Sequence, residues 1–159
     1  MPVEFHDYSI EAKDALDETA LLFLEKACMS VTAQVQQITP VGDGQLKGSW
    51  RYEIDRSQKV GTVGSPLENA IWTELGTGEY ALEGKGRKGG WYIPIGNGKG
   101  QISEATVKKY HMMVVYGKNG KKFAFTKGKK PVRMLLKSFQ AKKSSIINLS
   151  KQLFKERMD

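Results

Sequence analysis

This chain has a single cysteine, two histidines and no long apolar run, and each shortage removes a class of function. With Cys28 alone there is no disulfide framework and no thiolate zinc site. His6 and His111 leave little for imidazole-based metal or acid–base chemistry. The apolar run Ala20 to Leu24 falls far short of a membrane span. The opening residues Met1 to Asp7 carry neither a basic start nor an apolar stretch, so no secretory signal is expected. No GxxxxGK[ST] phosphate loop is present. These shortages predict a soluble protein of a reducing compartment, with no cofactor, no metal and no enzymatic activity.

What is present is one domain's length of chain, 159 residues, with 40% hydrophobic residues and a net charge of +8. A chain of this size buries roughly 68–70% of its unfolded surface, enough for a core without staples. The charge is segregated. Residues 1–82 carry 6 Lys/Arg against 13 Asp/Glu, residues 83–130 carry 12 against 2, and residues 131–159 carry 7 against 2. Three readings follow: a lopsided solvated surface, a basic surface for nucleic acid, or opposite faces that attract between identical subunits. Glycine is uneven too, with nine of seventeen between Gly76 and Gly100. So much backbone freedom is costly to order, which predicts a flexible Gly-rich loop over 76–100, pinned only by a partner.

Apolar residues at Leu16, Ala20, Phe23, Leu24, Ala27, Val31, Val35 and Ile38 recur at three and four. They predict a helix from about Ile10 to Gln37, with Ser9 as its cap and Pro40 as its stop. A turn is expected at Gly42-Asp43-Gly44. Gly48 to Asp55 alternates as a half-buried strand, with Trp50, Tyr52 and Ile54 on one face. Lys59 to Ser65 is its expected partner, with glycines that permit a bulge. Ala70, Ile71, Trp72 and Leu75 fit the buried face of a brief helix ending at Gly76. Trp91 to Ile95 reads as an edge strand because Pro94 has no N–H to give. Ser103 is expected to cap a short turn through Tyr110. Met112 to Tyr116 and Lys122 to Thr126 flank an Asn119-Gly120 hairpin signal. Pro131 precedes a closing helix with the stripe Leu135, Leu136, Phe139, Ile146, Leu149 and Leu153, interrupted by Lys142. The expected class is α+β: a single domain, 1–159, with a long N-terminal and a C-terminal helix packed on one side of a small antiparallel sheet.

Motifs that suggest chemistry fail on context. Gly84 to Gly89 matches GxGxxG, but Gly90-Trp91-Tyr92-Ile93-Pro94 follows where the motif needs a helix. Ser49, His111 and Asp43 lack a nucleophile elbow. His6 beside Asp7 reads as a surface pair. Asp14, Asp17 and Glu18 share a helix as a solvated face, and Cys28 reads as a small buried hydrophobe. The basic residues Lys85, Arg87, Lys88, Lys99, Lys121 and Lys122, with Trp91 and Tyr92 nearby, suit contact with phosphates and stacking on bases, without sequence readout.

Three blocks together carry a family resemblance. The first is Thr39-Pro40-Val41 through Gly44-Gln45-Leu46-Lys47-Gly48-Ser49-Trp50 after a long helix. Val63-Gly64-Ser65 then leads to Ile71-Trp72-Thr73-Glu74-Leu75-Gly76-Thr77-Gly78. The last is Phe125-Thr126-Lys127-Gly128 ahead of Pro131. In this order the chain resembles the head-to-tail joining, or tail-completion, proteins of long-tailed bacteriophages and prophages, the minor tail components of the neck. The resemblance spans about residues 10–157. It departs where the family often has Asp-Thr-Gly and this chain has Gly42-Asp43-Gly44, and where 95–110 is longer than usual. It implies an α+β subunit that forms a six- or twelve-fold ring in the virion neck, assembled in the bacterial cytoplasm. Its partners would be connector or adaptor proteins, the tail tube protein and, transiently, the genomic DNA, with no membrane. Trp72, Glu74, Gly76, Thr77, Gly78 and Trp91 are the expected interface, and Lys85, Arg87, Lys88, Lys99, Lys121 and Lys122 the expected DNA-facing residues. The alternative is a sequence-nonspecific nucleic-acid-binding domain acting through 83–130.

Overall fold

The computed structural model describes residues 9–40 and 44–158; the expected turn at Gly42-Asp43 and the pair His6–Asp7 lie outside the described residues. The fold is α+β, with five helices and five strands in two antiparallel sheets among the described residues. The chain divides into two compact units, Met1–Ala70 with Met134–Asp159, and Ile71–Arg133.

In the first unit, α1 (Ser9–Ile38) follows the predicted stripe. Ala27, Val31 and Val35 are buried, whereas Leu16 and Ile38 are exposed, and Thr19, Cys28 and Thr32 complete the buried side. The buried threonines are satisfied within the helix, Thr19 Oγ1 donating to Ala15 O and Thr32 Oγ1 to Cys28 O, both at 2.8 Å. The helix packs along α5 (Met134–Met158) and against a hairpin of β1 (Arg51–Asp55) and β2 (Val60–Gly64). The alternation holds: Trp50 is buried and Tyr52 and Ile54 half-buried, with Arg51, Glu53 and Asp55 exposed. Two local expectations are corrected. Gln45–Ser49 forms a short helix, α2, so the strand begins after Trp50. The hairpin register is also unbroken from Arg51↔Gly64 to Asp55↔Val60, so no bulge forms.

The α5 stripe is corrected as well. Leu136 and Phe139 are exposed, and the buried line instead runs through Met134, Ser138 and Leu153, with Lys142 half-buried within it. Counting only apolar residues missed it, because Ser138 is hidden by donating its hydroxyl to Met134 O at 2.7 Å.

The chain passes into the second unit through α3 (Glu68–Leu75). Here β3 (Trp91–Pro94), β4 (Met113–Tyr116) and β5 (Lys122–Thr126) form a sheet in the order β3-β5-β4. As expected, β3 lies at an edge. The Met113–Tyr116 and Lys122–Thr126 strands pair as a hairpin, with Tyr116 opposite Lys122. Its turn puts only Gly120 at positive φ, 69°, and Gly120 N–H donates to Gly117 O at 3.0 Å. Ser103 caps α4 (Glu104–Lys109), its hydroxyl accepting the Thr106 N–H at 3.2 Å. The expected single sheet is therefore two, one in each unit.

Candidate functional site

The 76–100 segment was expected to need a partner for its order. In the structure it carries two 3-10 turns (Gly78–Tyr80 and Leu82–Gly84) and β3, and it is tied to its own chain. Thr77 N–H donates to Lys129 O at 2.9 Å and Glu79 N–H to Lys127 O at 2.8 Å, while Lys129 N–H donates to Thr77 Oγ1 at 2.9 Å. Gly78 sits at φ 61°, and a Cβ there would meet the Lys127 carbonyl oxygen and come 2.7 Å from the Trp91 ring. The glycine therefore serves a close approach within the chain. Gly76 and Gly78 are buried for the same reason, so both belong to the packing of this unit rather than to its surface.

The other expected interface residues divide. Thr77, Glu74 and Trp91 are half-buried, and Arg87 lies 5.7 Å above the Trp91 ring. Trp72 is 51% exposed, as is Ile71, and Leu75 is 44% exposed. The expected buried face of α3 is thus turned outward. Only Ala70 of that set is buried, and Thr73 takes the inner position, its carbonyl accepting the Val132 N–H at 2.9 Å. The result is an exposed apolar patch on a short helix.

The basic residues fall at two places. Lys85, Arg87 and Lys88 precede β3, whose first residue pairs with Thr126 at the end of β5 and so lies near Lys127, Lys129 and Lys130. Lys121 and Lys122 stand at the opposite end, where Lys122 O accepts the Ile95 N–H at 2.9 Å, and Lys99 follows the end of β3. A four-residue strand separates the ends by about 13 Å. All six expected basic residues are exposed. Lys122 Nζ donates to Glu104 Oε1 at 3.0 Å, which holds the Glu104 carboxyl below its usual range and the Lys122 ammonium above its own. Lys127 pairs with Glu79 at 3.5 Å. The second unit carries 13 Lys/Arg against 4 Asp/Glu, a net +9; the first carries 12 against 13.

Among the described residues, neither unit by itself holds the candidate triad. Ser49 Oγ donates to Leu46 O at 2.8 Å and lies 2.6 Å from Ser65 Oγ, His111 belongs to the other unit, and Asp43 is outside the described residues. A hollow of about 280 Å³ in the first unit is lined by Glu18, Leu21, Leu22, Glu25, Ile54 and Arg56, with no nucleophile among them. Asp17 pairs with Lys59, and Glu18 with Arg157 at 3.5 Å, as befits a solvated helix face. Cys28 is buried, which pushes its thiol up from the ordinary value and away from thiolate chemistry. Among the described residues no three His, Cys, Asp or Glu side chains gather as metal ligands, and no helix is long and apolar enough to cross a membrane.

Tyr92 was expected beside the basic residues, but its neighbours across the sheet were not. Register places Tyr92, Phe125 and Met113 side by side across the sheet, with Pro94, Phe123 and Val115 in the next row of the same face. The signal was the alternation of aromatic and small residues in β5, but β4 is apolar on both faces and hid which one is covered. Comparison with protein-family models, curated sequences and solved structures finds no match for this chain.

Proposed function

We propose that this chain is a structural subunit of a bacteriophage neck, assembling with copies of itself into a ring that joins the DNA-filled head to the tail. The observation that supports this reading best is the outward apolar face of α3: Ile71, Trp72 and Leu75 lie together on one short helix and are about half exposed. Exposed apolar residues on one helix suit a protein interface, and the tryptophan is of the type that dominates binding energy. The charge difference between the units, +9 against −1, suits steering of the head-to-tail contacts that close a ring. The basic residues around the sheet then meet DNA in the lumen through its phosphates. Native mass spectrometry tests the reading: six or twelve copies are expected for the wild type, and a Trp72→Lys variant is expected to lose that species. A wild type that stays monomeric overturns it. A second reading, sequence-nonspecific nucleic-acid binding through 83–130, draws its support from the +9 of the second unit alone.

A further inference from the structure

We infer that the open face of the β3-β5-β4 sheet is a binding site for single-stranded nucleic acid. The inference deepens the second reading above and does not depend on the ring. Three observations carry it. Tyr92, Phe123 and Phe125 form an aromatic cluster on one sheet face, with the Tyr92 and Phe125 rings 5.2 Å apart and tilted by 52°. The face is open: Tyr92 is 56% and Met113 57% exposed, Pro94 is exposed, and the two phenylalanines are half-buried. The opposite face carries Ala124, which is fully buried.

The occupant follows from charge. Exposed Lys88 precedes β3 at one end of the strands, and exposed Lys118 and Lys121 flank the hairpin turn at the other, in a unit of net +9. Of its four carboxylates, Glu79 faces Lys127 and accepts the Gly89 N–H at 3.1 Å, and Glu104 faces Lys122. A second copy of this unit laid on the face would bring +9 against +9. A polyanion brings the complementary charge, and a single strand also brings unstacked bases to lie on the rings. A duplex keeps its bases stacked inside and gains only the lysine contacts. The pairing of a sheet-borne aromatic platform with cations at both strand ends therefore selects single strands without reading sequence.

Fluorescence anisotropy with the full chain tests this, using labelled oligo(dT) and a duplex of equal length at 50 and 200 mM salt (about the range over which phosphate contacts are weakened). The single strand is expected to bind more tightly than the duplex. Tyr92→Ala is expected to weaken the single strand by about tenfold with little effect on the duplex, and Tyr92→Phe to retain binding, which separates stacking from folding. Lys88→Ala and Lys121→Ala are each expected to lower the salt slope by about 0.7. Equal affinity for both nucleic acids with no effect of Tyr92→Ala overturns this site while leaving general phosphate binding intact. Binding of neither overturns both. Self-association that Tyr92→Lys abolishes, without oligo(dT) binding, assigns the face to a second copy and overturns the inference.

Discussion

The two units reach stability by different means. In the first, buried helix stripes face each other and a hairpin, and the side chains carry the core: Val35, Met134 and Ser138 are fully buried. In the second, backbone meets backbone, Gly78 against the Lys127 carbonyl and Thr77 against Lys129, and much of the apolar surface stays outside. One unit is close to neutral and the other is +9. A near-neutral helical unit and a basic, glycine-pinned sheet with exposed rings suggest a division between scaffold and contact surface. Substitutions placed in each unit sharpen or break that division.

The largest effect belongs to Gly78→Ala. Its positive φ and its clash with backbone leave no relaxation route, so destabilisation above about 4 kcal/mol is expected. Hydrogen exchange should show protection lost over 77–95 and 122–129 while α1 and α5 keep theirs; uniform loss would erase the contrast. Gly120→Ala, also at positive φ but with open space around it, should cost only about 1–2 kcal/mol. Met134→Ala tests the first unit, where loss of a fully buried side chain should cost about 2–5 kcal/mol in chemical denaturation.

A smaller effect is expected from Thr39→Val. Trp50 Nε1 donates to Thr39 Oγ1 at 2.9 Å in a buried setting, and the valine leaves that N–H unpaired, at about 1–3 kcal/mol. The indole fluorescence should report the change. The smallest concerns the exposed pair Glu104–Lys122. Because the folded Glu104 value is lowered, its contribution is present at neutral pH and is lost as pH falls through that value, below the usual 4.3 or so. Lys122, raised, loses its part only as pH climbs above about 10.4. Glu104→Gln should therefore shift Tm barely at pH 7 and not at all in strong acid.

The elements legible in the sequence were those whose burial repeats with a period. The 30-residue α1, the β1–β2 pair, the edge position of β3 with Pro94, and the Lys122–Thr126 hairpin all follow local rules. Less was legible where a polar residue was buried or an apolar one exposed. Ser138 hid the true face of α5, because its own backbone bond conceals its polarity. Ile71, Trp72 and Leu75 were expected inside because short helices usually bury such a triplet, and only the tertiary structure turns them out. The Gly76 to Gly100 stretch reads as loose because composition does not reveal that Gly76, Gly78, Gly86 and Gly90 admit a neighbouring carbonyl. Lys85, Arg87 and Lys88 were grouped with Lys99, Lys121 and Lys122 by sequence proximity, and antiparallel pairing sends them to opposite strand ends.

Under the proposed function, a surface built on α3 is covered by identical chains. Sedimentation velocity across a concentration series, with wild type and Trp72→Lys side by side at one salt concentration, addresses it most directly. One closed oligomer is expected for the wild type and a 17.8 kDa species for the variant. A wild type that sediments as a monomer throughout, or a variant that assembles equally well, contradicts it.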